Sequence, residues 1–159
     1  MIDIEYRLGI FMPKQISEEE AHLLGIDTLH QEMDNGERRF RLVSSDGSSY
    51  IRTEASNNGG WQKSHYHKSL REFYVVQKGW LVYTEYVSDN KLVLKHLEQG
   101  ESILVKPFVH HNLYMSAYTV THVIKYGGEI ENDWYPSPEL DKLTLHLPES
   151  ELARMRDCY

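Results

Sequence analysis

Cysteine is almost absent from this sequence: Cys158, next to the C-terminus, is the single one in 159 residues. No disulfide framework can be built from it, and a reducing cytoplasm is the expected home. No apolar run approaches the ~18 residues that a membrane span requires, so no membrane partner is expected. Met1-Ile2-Asp3-Ile4-Glu5 has neither the basic nor the apolar region of a signal peptide. Positive charge is also in short supply. Seventeen Lys and Arg face twenty-four Asp and Glu, for a formal net charge of −7. With no basic cluster to reverse that balance, a nucleic-acid partner is not expected. Internal repeats, low-complexity tracts and linkers are absent too. The length fits a single domain over residues 1–159.

What is present is a globular composition, 40% hydrophobic with eleven tyrosines. Ser17-Glu18-Glu19-Glu20 has capping-box spacing, and Gly25 can end the short helix it opens. From residue 38 the pattern is β. Residues 38–44 and 49–54 flank Ser45-Asp46-Gly47-Ser48, a hairpin turn, and Asn57-Asn58-Gly59-Gly60 is a second break. Short strands are predicted at about 62–67, 72–77, 80–87, 91–97, 102–106, 111–116 and 119–126. Gly79, Asp89-Asn90, Gly100 and Ser116-Ala117 punctuate them. Such spacing indicates a mainly all-β sandwich, jelly roll or barrel. Trp134-Tyr135-Pro136-Ser137-Pro138 reads as a loop. Pro148-Glu149-Ser150-Glu151 opens a helix running to about Arg156, with Pro at its first position and acids in its first turn. Both terminal helices are expected to pack outside the β core.

The chemistry concentrates in residues 59–79. His65 and His67 are two apart, so on a strand they project from one face with Cα atoms ~6.6 Å apart. Both imidazoles can then meet one ion. Glu72 lies five residues beyond His67, an odd separation. A turn over Lys68 to Arg71 is therefore required, after which Glu72, Tyr74 and Val76 share the face that looks at the histidines. Imidazoles with a carboxylate suit divalent Mn, Fe, Co, Ni, Cu or Zn. A fourth ligand should come from the strand after Pro107. Adjacent His110 and His111 cannot both point inward. His111 shares its parity with Leu113 and Met115, which favours it over His110. Tyr74 and Tyr83 share the inward parity as pocket wall, proton donor or substrate contact. His122 sits in a strand with ambiguous facing and is read as structural.

These residues are where the sequence resembles the cupin family. The family's first motif is Gly, five residues, His-x-His, three or four residues, Glu, six residues, Gly; Gly59, His65, His67, Glu72 and Gly79 match every fixed position. Gly100, Pro107 and His111 resemble the second motif loosely. Six residues, not five, separate Gly100 from Pro107, and Met115 stands where the motif has Asn. The resemblance covers about residues 40–126. It implies a double-stranded β-helix (the cupin jelly-roll barrel) with terminal extensions packed outside, and a homodimer. Phe73, Val75, Trp80 and Val82 alternate with the inward set, so they face outward; a terminal segment or a second subunit must cover them.

The expected function is that of a metal-binding cupin. One divalent transition metal ion would be held by His65, His67, Glu72 and His111. Open coordination positions would suit a metal-dependent enzyme acting on a small polar molecule, of dioxygenase or sugar/keto-acid isomerase type. A metal-free sugar-nucleotide epimerase-like cupin and a non-catalytic small-ligand-binding cupin are the alternatives.

Overall fold

The computed structural model describes residues 13–88, 91–128 and 132–154. Met1–Glu5, the turn at Asp89-Asn90, Arg156 and Cys158 lie outside the described residues. The elements run α1 (Glu18–Leu23), β1 (Ile26–Glu32), β2 (Arg38–Ser44), β3 (Ser49–Glu54), β4 (Gly60–Trp61), β5 (His65–Tyr66), β6 (Arg71–Lys78), β7 (Trp80–Ser88), β8 (Lys91–Glu98), β9 (Ser102–Val105), β10 (His111–Met115), β11 (Val120–Tyr126), β12 (Tyr135–Pro136), α2 (Pro138–Thr144) and α3 (Glu149–Arg154). Two antiparallel sheets face each other. The first has the order β1-β2-β3-β11-β6-β9 and the second β12-β5-β10-β7-β8, with β4 also paired to β10. Apart from the sequential pairs β1-β2, β2-β3 and β7-β8, neighbours in each sheet come from distant parts of the chain, as in the jelly-roll expected from the sequence. Tyr74, Val76, Leu81, Leu113, Met115 and Val123 fill the space between the sheets.

Two motif glycines have a physical reason to be there. Gly59 has φ 65° and Gly79 φ 78°. A Cβ at Gly59 would stand 2.5 Å from the Met115 carbonyl oxygen, and one at Gly79 would stand 2.4 Å from Thr119 Oγ1. Both positions combine left-handed backbone with close approach, which only glycine tolerates. The Ser17/Glu20 capping box forms as the sequence predicts.

Three expectations need correction. Strand β1 was not anticipated; all but its first residue are exposed, so it carries no apolar alternation for a sequence reading to detect. The segment read as a loop, Trp134 to Pro138, contains a ladder: Tyr135 pairs with Tyr66 and Pro136 with His65. It then enters α2, with Pro138 in its first turn. Of the stretch expected as one strand over 62–67, only His65–Tyr66 is strand; β4 precedes it at Gly60–Trp61, and irregular backbone joins the two.

The outer face of the second sheet is covered by the chain itself. Leu140 and Thr144 of α2 are buried. The Asn112 amide donates to Ser64 Oγ and to Thr144 Oγ1, each at 2.7 Å, and so ties α2 to β10. Val82 packs with Tyr114 and Leu152, and Trp61, Trp80 and Leu147 close the cluster. The C-terminal segment is thus the cover for outward Trp80 and Val82. Leu152 is fully buried, so Leu152→Ala is expected to cost roughly 2–4 kcal/mol in chemical denaturation, the transfer energy of the lost methyls plus the cavity they leave. A loss under about 1 kcal/mol would mean that α3 is not docked.

Candidate metal centre

The centre is assembled across the sandwich. Glu72 projects inward from β6 in the first sheet, while His65 and His111 face it from adjacent positions on β5 and β10 of the second. His67 follows just beyond β5. All four side chains are buried, Glu72 to 1% exposure and His111 to 0%. The Glu72 carboxylate lies 2.7 Å from His111 Nε2, 3.6 Å from His65 Nε2 and 3.3 Å from His67 Nε2. One ligand atom from each of His65, Glu72 and His111 lies within 4.8 Å of the others. His67 reaches the Oε1 side of the carboxylate, which it shares with Lys125. Parity is as expected after Pro107. His111 turns inward, and His110 turns outward to bond Ser137 Oγ at 2.8 Å and stack on Tyr66.

The imidazoles are held in one tautomer. His65 Nδ1 faces the Lys63 carbonyl oxygen at 3.1 Å, His111 Nδ1 faces that of Val109 at 3.0 Å, and His67 Nδ1 faces that of Asp133. A carbonyl can only accept, so each Nδ1 carries the proton and donates. Each Nε2 then points at the carboxylate, offering a lone pair when its ring is neutral and an N–H donor when it is protonated. Among the described residues, His65 Nε2 and His111 Nε2 are buried and face no group other than the Glu72 carboxylate, whose Oε1 also meets Lys125 Nζ at 2.7 Å. Lone pairs of imidazole and carboxylate at these separations repel unless a proton or a metal ion stands between them. The donor set, its burial and its convergence therefore fit a divalent ion.

Electrostatics points the same way. Burial pushes the His65 imidazole down to about 4, so it is neutral at pH 7. Burial alone would raise Glu72, but the Lys125 ammonium and the His111 imidazole outweigh it and hold the carboxyl well below its usual range. Burial and the nearby Glu72 carboxylate push the Tyr74 phenol well up, so it stays protonated. The Tyr83 hydroxyl donates to Glu85 Oε2 at 2.9 Å, and its ring lies 6.1 Å from that of His111. Of the two tyrosines, only Tyr74 lines the cavity in front of the centre. His122 stays on the outer side of its sheet, bonded to Tyr50 and Gln77.

Several residues of the site escaped the sequence reading. Lys125 Nζ stands 2.7 Å from Glu72 Oε1 and 3.3 Å from His67 Nε2. Its strand, Val-Thr-His-Val-Ile-Lys-Tyr, has apolar residues on both parities, so its inward position could not be read. Asp133 closes the turn between His67 and Glu72. Its carboxylate accepts from the backbone N–H groups of Lys68, Ser69 and Leu70 at 2.7–2.9 Å and from Ser69 Oγ at 2.7 Å. Trp134 stacks over His65 with ring centroids 5.5 Å apart. A cavity of about 480 Å³ opens in front of the centre, lined by His65, Glu72, Tyr74, Lys125, Trp134, Arg39 and Arg41.

No protein-family model matches the chain, and neither does any curated protein. Solved structures do. An oxalate oxidase matches with a TM-score of 0.54 at 20% identity, covering 79% of this chain and 67% of that one. Oxalate decarboxylase from Bacillus subtilis gives 0.56 at 14%, covering 82% and 35%. The capsular polysaccharide assembling protein CapF from Staphylococcus aureus gives 0.54 at 16%, covering 68% and 32%. The cupin domain of Drosophila melanogaster CENP-C gives 0.51 at 14%, covering 72% and 86%. The chain spans about a third of the length of CapF and of oxalate decarboxylase. The fold is that of the cupins.

Asp133 offers a direct check on how the centre is held. Burial would raise its pKa, but the N–H groups of Lys68 and Leu70, with Ser69, hold it well below the ordinary 3.8. A depressed folded-state pKa contributes stability above the unfolded value and loses it as pH falls further. Wild-type stability is therefore expected to fall between about pH 4 and 2 more steeply than that of Asp133→Asn. At pH 7, Asp133→Ala should cost about 3 kcal/mol through the orphaned donors. Equal acid slopes for wild type and Asp133→Asn in pH-resolved denaturation would count against this role.

Proposed function

We propose that the chain is a metal-dependent enzyme acting on a small polar molecule, of oxygenase or sugar/keto-acid isomerase type, with one divalent ion held by His65, His67, Glu72 and His111. The observation that carries the reading is the convergence of three buried imidazoles on one buried carboxylate at the wall of an open cavity. Structural metal sites are usually closed by their ligands, whereas His65 and Glu72 here line a space large enough for a small molecule. A bound ion with open positions would supply Lewis acidity toward an oxygen ligand. The chain's own contribution is orientation and exclusion of water. Trp134 and Tyr74 wall the cavity, Tyr74 keeps its phenolic proton, and Lys125 sets a positive charge beside the carboxylate.

The experiment is elemental analysis of protein purified without chelator, followed by turnover assays. About one divalent ion per chain is expected, with His65→Ala or His67→Ala abolishing tight binding and His111→Ala costing far more affinity than His110→Ala. Sugars, keto acids and catechol-like compounds would be screened with Fe(II) or Mn(II), with Glu72→Ala as the inactive control. Protein that stays metal-free after incubation with Mn, Fe, Co, Ni, Cu and Zn would overturn the metal reading. Ligand binding without turnover across the panel would favour a non-catalytic binding module, a role to which the likeness to CENP-C, solved in complex with CAL1, lends support. The single cysteine supports a cytoplasmic setting, and among the described residues no helix is long and apolar enough to cross a membrane.

We also propose a homodimer through the outer face of the first sheet. Paired residues Leu42, Tyr50, Ile124, Phe73 and Leu104 form one continuous row across five strands. Leu42, Ile124 and Leu104 are 44–47% exposed. Phe40 and Val75 lie in the next row, separated by Arg52 and His122. No described element lies over this face, and a second copy of it is matched in width and polarity. Light scattering at micromolar concentration should give a dimer mass, and Ile124→Glu a monomer. A monomer mass for the wild type would refute the proposal.

A further inference from the structure

Strand β2 reads Arg-Arg-Phe-Arg-Leu-Val-Ser, and its alternation is inverted relative to an ordinary core strand. Phe40 and Leu42 face solvent, while Arg39 and Arg41 face the interior of the barrel and line the cavity. Charged groups turned inward cost solvation, and breaks of pattern like this one mark sites of function.

The charges on the cavity wall are mostly accounted for in pairs. Lys125 is matched by Glu72. Arg39 is matched by Glu37, which is itself 1% exposed and further held by Gln62 Nε2 at 2.9 Å. Lys63 and Asp34 are exposed residues at the rim. Arg41 is left over. Its one hydrogen-bond partner among the described residues is the neutral Gln31 Oε1 at 2.6 Å, and no described carboxylate lies within salt-bridge distance. Burial and the neighbouring Arg39 lower its pKa, and the Glu37 carboxylate offsets this only in part. A guanidinium presents five N–H donors in a fork suited to a carboxylate.

We propose that Arg41, seconded by Arg39, is an anion subsite that binds a carboxylate of the ligand at the end of the cavity away from His65, Glu72 and His111. Resting on the metal-site reading, this makes the substrate class a small molecule with two oxygen-rich ends, one for the ion and one carboxylate for Arg41. The backbone sets the span. Arg41 pairs with Ile51, Ile51 with Val123, and Val123 with Tyr74, so Arg41 is three strands from the strand of Glu72. At about 4.8 Å per strand, Arg41 stands roughly 14 Å across the sheet from the strand of Glu72, and the long arginine side chain takes up several ångströms of that distance. A ligand with three or more carbons between its acidic ends fits; acetate or oxalate cannot bridge.

The test is calorimetric titration of the folded chain with acetate, malonate, glutarate and adipate, with and without Mn(II). Glutarate or adipate is expected to bind at least tenfold more tightly than acetate to the Mn(II)-loaded protein. Arg41→Gln should remove that advantage while leaving the affinity for Mn(II) itself unchanged. Arg41→Lys should restore it in part, since charge returns without the fork. Gln31, the only described partner of Arg41, is exposed, and a thermal melt of each variant checks that the fold is retained. Equal dicarboxylate affinity in wild type and Arg41→Gln would overturn the subsite, as would a selectivity for acetate or malonate that ignores Arg41. Failure of the metal reading is seen separately, as absence of Mn(II) binding in the same titrations. In that case Arg41-dependent binding of glutarate to the metal-free protein would still uphold the anion subsite, and its absence there would overturn it.

Discussion

A carboxylate sealed inside a β sandwich has to be offset by positive charge, and the burial of Glu72 is the constraint around which this molecule is arranged. An ionised carboxyl at 1% exposure is costly unless cations or donors surround it. Lys125 is set on the neighbouring strand to meet one oxygen, and His111 meets the other. All three imidazoles commit their Nδ1 N–H to backbone carbonyls, so each turns Nε2 toward the carboxylate. The carboxylate is thus compensated at its edge by Lys125, while its other side is left to the converging imidazoles.

Much of this was legible in the sequence. Gly59, His65, His67, Glu72 and Gly79 pointed to the fold and to the core of the candidate site, because the jelly roll here has glycine at those two close approaches and the donors share one face. Parity also separated His111 from His110, since Leu113 and Met115 mark the inward side clearly. What could not be read was whatever depended on tertiary partners. Asp133 is sixty-six residues from the histidine it positions, and nothing local to Asn132-Asp133-Trp134 signals that role. Lys125 sits on a strand with no clean alternation. Arg39 and Arg41 sit on one whose alternation points the wrong way, because the space they face is a cavity and not a packed core. Helix α2 follows two prolines in a stretch that looks like a loop until its Asn112 and Ser64 contacts are known.

The two sheets solve the same problem in different ways. Each is apolar on its outside as well as its inside. The second sheet is covered by α2, α3 and the Trp61–Leu147 contacts, all drawn from the same chain. The first has no such cover among the described residues, although its apolar row is the more extensive. The inversion of β2 links this face to the cavity. The same alternation that turns Phe40 and Leu42 out turns Arg39 and Arg41 in, so one strand supplies both an adhesive exterior and a charged interior.

The segment from Asp133 to Ser137 has one more consequence. It pairs with β5, stacks Trp134 on His65, holds the tautomer of His67 and clasps the turn that leads to Glu72. Peeling this strap away would loosen two imidazoles and the carboxylate's turn at once, without disturbing the ten or so strands behind them. The centre therefore has a back door. Retention of an ion bound there would then depend on how often this strap opens, an event that exchange of the backbone amides of Lys68 to Leu70, which donate to Asp133, would register.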